Sequence, residues 1–127
     1  MGGGRGANMT FAGLDVTTYV KLNETYRDRL LRRQSPLTNA LSALYTLWSY
    51  ESYAQPDPTL HDVVAVGMFL WPELYTTRRA HVKVIEGGYT VIDESKTPNC
   101  EIGMSIKKEE LLKRVVERLL TQNFIRK

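Results

Sequence analysis

Cysteine is almost absent from this chain: Cys100 is the single one among 127 residues. No disulfide framework can form within it, and a reducing compartment fits that usage best. With no His or Asp pattern around it, Cys100 reads as structural. Histidine is nearly as scarce, with only His61 and His81. A metal-dependent phosphohydrolase of the His-Asp type needs more histidines and is a poor match. The longest apolar run, Val63–Trp71, is far shorter than the ~20 residues that cross a bilayer. Met1–Gly6 carries no apolar stretch of the kind a secretory signal needs. A cytoplasmic location without a membrane partner is the expectation.

Charge of one sign is also in short supply. The net charge is +3, and the basic residues are scattered. The densest group is Arg27, Arg29, Arg32 and Arg33, with Asp28 inside it. That group reads as a solvated helix face rather than a phosphate-binding patch. Aromatic and basic residues do not interleave on any one strand, so no nucleic-acid partner is expected. Gly2-Gly3-Gly4 lacks the Lys-Ser/Thr of a phosphate-binding loop, and no strand precedes it.

What is present is an ordinary globular composition, 43% hydrophobic and 24% charged. The length supports a single domain or part of a larger one. Met1–Asn8 is glycine-rich and reads as a flexible tail, and residues 1–10 together are expected to be flexible. Phe11–Val16, apolar on both faces, reads as a short central strand. Asn23 can cap a helix over Glu24–Arg33. Ser35-Pro36 starts another, with Leu37, Leu41, Leu44, Tyr45 and Trp48 at helical spacing, reaching about Tyr53. Asp62 begins the run Val63–Trp71, predicted as a buried helix from its length and from Ala65, Met68 and Leu70. From His81 the pattern turns extended. Glu86-Gly87-Gly88 makes a hairpin turn between His81–Ile85 and Tyr89–Ile92, and a further extended piece covers Glu101–Ser105. The last helix, about Lys107–Gln122, has Leu111, Leu112, Val115, Val116, Leu119 and Leu120 on one face. The predicted class is α/β: a partial Rossmann-like sheet flanked by helices, a small antiparallel β arm over residues 81–105, and a C-terminal helix.

One dipeptide draws the chemistry together. His61-Asp62 follows the turn formers Gln55-Pro56-Asp57-Pro58 and opens the apolar run. Two titratable groups at the mouth of a helix can form an acid-base or metal pair, since imidazole titrates near neutrality. A capping or surface role is the plainer reading of the dipeptide alone. Of the aromatic group before it, Tyr45 and Trp48 read as core. Tyr50 and Tyr53 are nearer the His and are candidates to line a base-stacking pocket.

Several stretches in this order carry a resemblance. Leu60-His61-Asp62-Val63-Val64-Ala65-Val66, Pro72-Glu73-Leu74-Tyr75, and Thr77-Arg78-Arg79-Ala80-His81-Val82 resemble the C-terminal half of the inosine-uridine preferring nucleoside hydrolases. Gly13-Leu14-Asp15-Val16-Thr17 is similar to the strand that precedes it in that family, and Pro98-Asn99 is similar as well. The resemblance implies an α/β hydrolase that cleaves ribonucleosides to ribose and free base with a bound Ca²⁺. It implies that His61 serves as the acid near the leaving base and that Asp62 is a calcium ligand. Met1-Gly2-Gly3-Gly4 resembles the family's Met-Gly-Gly loop beside the ribose, which makes Met1 a substrate-binding candidate along with Tyr50 and Tyr53.

The chain departs from that pattern in two places. The family's Asp-x-Asp-x-x-x-Asp-Asp calcium motif does not occur in it. Asn8-Met9-Thr10 also passes at once into Phe11, where the family has a Glu-Phe-Asn segment and a helix. The expectation is a single partial domain over residues 1–127, truncated and internally shortened, that does not turn over inosine or uridine by itself. The alternative is a non-catalytic interaction fragment or degenerate copy. Either would associate as a homo-oligomer or with full-length subunits.

Overall fold

The computed structural model describes residues 9–52 and 56–122. Its sheet starts with β1 (Thr10–Phe11), a strand of two residues. The predicted strand over Phe11–Val16 stops there, because α1 (Leu14–Thr17) follows at once. Leu14 and Asp15 are exposed while the neighbouring Val16 and Thr17 are both buried. That pairing suits a helical turn, since a strand would alternate. The Gly13 carbonyl accepts from the N–H groups of both Val16 and Thr17 at 3.0 Å and closes the turn. Met9 and Thr10 are held in the sheet, where Glu101 N–H donates to Met9 O at 2.9 Å.

Two helices follow with the predicted starts. In α2 (Glu24–Arg33) the Asn23 side chain accepts from Tyr26 N–H, and in α3 (Pro36–Ser49) Ser35 and Thr38 form a capping box. Each satisfies N–H groups that the first turn leaves open. α3 ends at Ser49, short of the predicted Tyr53, which lies outside the described residues. Tyr45 and Trp48 are half-exposed rather than core, with ring centroids 5.8 Å apart.

α4 (His61–Leu70) carries the apolar run and is helical as predicted. Its burial is one-sided, however. Val64 and Gly67 are buried, while Val66, Phe69 and Leu70 face outward. After a short 3₁₀ turn, β2 (Tyr75–Ala80) enters the sheet, a strand the sequence pattern had not separated from its surroundings. β3 (Val82–Val84) and β4 (Thr90–Ile92) pair antiparallel around the Glu86–Gly88 turn. Gly87 and Gly88 lie at φ 86° and 83°, a region that L side chains avoid.

β5 (Cys100–Ile106) does not join that arm. It is the middle strand of a separate sheet ordered β1-β5-β2, parallel to β1 and antiparallel to β2. The predicted arm over residues 81–105 therefore ends before Cys100. Pairing across Ala80 and Cys100 returns the chain to the main sheet. α5 (Lys108–Thr121) closes the fold. The core is Val20, Val64, Leu74, Tyr75, Leu111 and Leu112, with Leu60, Met68, Trp71 and Ile106 packed around it. The class is α/β, a mixed sheet with helices against it.

Candidate active site at the mouth of the fourth helix

The segment Thr17–Leu22 builds the mouth of α4. Leu60 N–H donates to Val20 O at 2.8 Å and Leu22 N–H to Pro58 O at 2.9 Å, with an antiparallel bridge between Lys21 and Thr59. The turn before it is fixed from the other side. Arg27 pairs with Asp57 at 2.5 Å and lies 4.6 Å over the Tyr45 ring, whose hydroxyl donates to Pro56 O at 2.9 Å. His61 is thus the first residue of a helix whose entry is tied down on two flanks.

His61 is exposed, yet its ring is not free. Its Nδ1 lies 2.7 Å from Oγ1 of the buried Thr17. Asp62 is exposed in the first turn beside it, where a carboxylate suits the positive end of the helix dipole. The structure thus places the acid candidate and the carboxylate candidate side by side at one helix mouth. Tyr50 stands exposed at the C-terminal end of α3, with no hydrogen bond or ring contact to either among the described residues. Met1 and Tyr53 lie outside the described residues.

Ca²⁺ takes ~6–8 oxygen ligands. Asp62 brings one carboxylate, and no group of three or more His, Cys, Asp or Glu gathers among the described residues. The described residues do not fit a calcium ion.

The groups with displaced pKa values lie away from this mouth. A hydrogen bond from Arg114 holds Glu73 below the usual carboxylate range, and the same bond, helped by Glu110, raises Arg114. Asp93 is lowered by hydrogen bonds from Ser95. Burial pushes Tyr75 up to about 12, and its hydroxyl donates to Val64 O at 2.8 Å. All four hold elements together.

The model of the inosine-uridine preferring nucleoside hydrolases matches residues 4–113. The chain belongs to that family. Solved nucleoside hydrolases share its fold. A purine-preferring ribonucleoside hydrolase from Gardnerella vaginalis superposes with a TM-score of 0.78 at 23% identity, over 90% of this chain and 40% of that one. A plant nucleoside hydrolase gives 0.80 at 21% identity, over 94% and 43%. An inosine-uridine preferring nucleoside hydrolase from Bacillus anthracis gives 0.69 at 17%, over 89% and 36%. The chain thus spans less than half the length of these relatives. No curated protein matches it. No helix among the described residues is long and apolar enough to cross a membrane.

Sequence reasoning missed Thr17 as a partner of the site. Its signal was a hydroxyl ending the otherwise apolar Val16-Thr17 pair of a stretch already singled out. Nothing in the spacing of residues 17 and 61 shows that they meet.

Proposed function

We infer that this protein serves nucleoside N-glycosidic bond cleavage by carrying the leaving-base side of the site. The observation that supports this most is the anchored, exposed His61 beside Asp62 at the start of α4, in a chain that belongs to the nucleoside hydrolases. Breaking the bond between ribose and base leaves positive charge on the sugar ring and negative charge on the base. A proton delivered to a base nitrogen relieves the second of these. General acids in such a role contribute about 10²- to 10⁴-fold. His61 is the donor. Tyr50 is the described candidate for contacting the ribonucleoside, and Tyr53 and Met1 are the further candidates for that role. Asp62 is the one carboxylate at this mouth that would join a calcium shell, and the described residues do not bring the other oxygens such a shell would need. The chain by itself is an incomplete catalyst, and it works in the cytoplasm.

The test is release of free base from inosine and uridine by the purified chain with calcium, set against an EDTA control. No turnover and no calorimetric calcium binding are expected. Metal-dependent turnover by the chain alone would refute its incompleteness. If that turnover then survived His61→Ala with a purine nucleoside, the role given to His61 would fall too.

A second reading has its own observation. Phe69 is 86% exposed, with Val66 and Leu70 also outward on α4. Apolar surface of this kind favours a unit that pairs with further copies of itself or with full-length subunits. Light scattering on the purified chain separates the cases, because a monodisperse monomer removes self-association.

A further inference from the structure

We propose that Thr17 is the positioning residue of His61: its hydroxyl donates to Nδ1, which keeps the imidazole proton on Nε2 and turns the ring into an oriented N–H donor. The contact is 2.7 Å, between side chains 44 positions apart in sequence. Thr17 is 3% exposed, and Oγ1 makes no other hydrogen bond among the described residues. That burial decides the direction of the bond. If Nδ1 carried the proton and donated to Oγ1, the hydroxyl hydrogen would be buried with no acceptor among the described residues, the costly arrangement of an unpaired donor. If the hydroxyl donates, both partners are satisfied and the tautomer is fixed. A neutral ring so held offers Nε2–H as a hydrogen bond to whatever approaches the helix mouth. To deliver a proton as the acid proposed above it must first take up a second one at Nδ1, and Thr17 Oγ1 then turns from donor to acceptor. The ligand class it suits is a nucleobase whose ring nitrogen accepts a hydrogen bond; that assignment rests on the function proposed above, whereas the anchor itself does not.

His81 supplies the opposite case in the same molecule. Its Nδ1 lies 3.0 Å from the Thr97 carbonyl, which can only accept, so His81 carries its proton on Nδ1. The two histidines are therefore held in opposite tautomers, one by a hydroxyl and one by a carbonyl.

The experiment is ¹⁵N–¹H NMR of the side-chain rings in the whole chain, recorded where the ¹⁵N shifts themselves show a neutral ring. Expected are Nε2–H for His61, Nδ1–H for His81, and a slowly exchanging Thr17 hydroxyl proton that correlates with His61 Nδ1. Thr17→Val should move that Nδ1 resonance to the position of an unbonded ring nitrogen and abolish the hydroxyl signal. Thr17→Ser should restore both, which a purely structural role of the buried side chain would not require. A proton on Nδ1 of His61 in the unaltered chain overturns the proposal without any variant, as does an Nδ1 resonance indifferent to Thr17→Val. Inosine added to the unaltered chain should shift the Nε2–H resonance. If that resonance stays still while the tautomer is as expected, the nucleoside reading fails and the anchor stands.

Discussion

The helices α4 and α5 are both rich in apolar residues; α4 sends Val64 into the core cluster, α5 sends Leu111 and Leu112, and Leu111 lies against Gly67 of α4. They spend that apolarity differently. α5 sorts its residues: Leu111, Leu112 and Val116 are buried, while Lys108, Glu109, Lys113 and Glu117 are exposed. Its salt bridge from Glu110 to Arg114 continues to Glu73 before β2. α4 is apolar nearly all round, yet only Val64 and Gly67 are buried. An amphipathic helix matches a surface position. A helix apolar on every side matches an interior one. α5 is complete within this chain, and α4 is dressed for cover on two sides with cover on one.

Four substitutions break or sharpen that contrast. The largest effect belongs to Leu111→Ala, which opens a cavity where α5 meets α4. A loss of about 2–5 kcal/mol in denaturant unfolding is expected, and a smaller loss would mean that α5 is less tightly seated than its burial implies. Next is Gly67→Ala. A Cβ there would lie 2.3 Å from the Tyr75 hydroxyl oxygen and 2.8 Å from a Leu111 methyl, so overpacking of about 1–3 kcal/mol should outweigh the gain in helix propensity. Tyr75→Phe costs about 1 kcal/mol by removing the bond to Val64 O. It should also relieve part of the Gly67→Ala strain, and a double-mutant cycle with purely additive losses would deny that contact. The smallest effect on stability is expected for Phe69→Ser, within about 0.5 kcal/mol. The same change should lower self-association in light scattering, and equal association would show that the outer face of α4 is not the adhesive one.

Tyr75 adds a pH signature to the buried side of the comparison. Its folded value of about 12 lies above the unfolded phenol value of ~10. The unfolded chain therefore loses this proton first, so the contribution to stability is full below pH ~10 and falls as pH rises toward 12. Phenolate absorbance should show a late-titrating phenol in the unaltered chain that is lost in Tyr75→Phe.

Much of this was legible in the residues. Asn23 and Ser35-Pro36 announced their helices because caps are local chemistry, and Gly87-Gly88 announced the hairpin because few residues tolerate positive φ. His61-Asp62 was legible as a pair because adjacency is written in the chain. The errors came where local pattern and tertiary placement part company. Gly13–Thr17 is short and apolar enough to be strand or helix. β2 contains Thr76, Thr77, Arg78 and Arg79, a run with no apolar alternation, and is a strand because β5 lies beside it. Likewise, no periodicity could join Thr17 to His61, because that contact exists only after α1 and α4 pack together.

The arm β3–β4 leaves the main sheet after Ala80 and returns at Cys100, and those two residues face each other across the β2–β5 ladder. The excursion is thus a loop whose ends the sheet has already closed. Asn99 fastens its base, accepting from Val82 N–H at 2.9 Å and donating to Val82 O at 3.1 Å, much as a neighbouring strand would. Lengthening such a loop is cheap, at about 0.6 kcal/mol for each doubling. The turn over residues 86–88, at the far end of the arm, is accordingly a place where the chain can gain length, or accept a grafted segment, without the main sheet registering it.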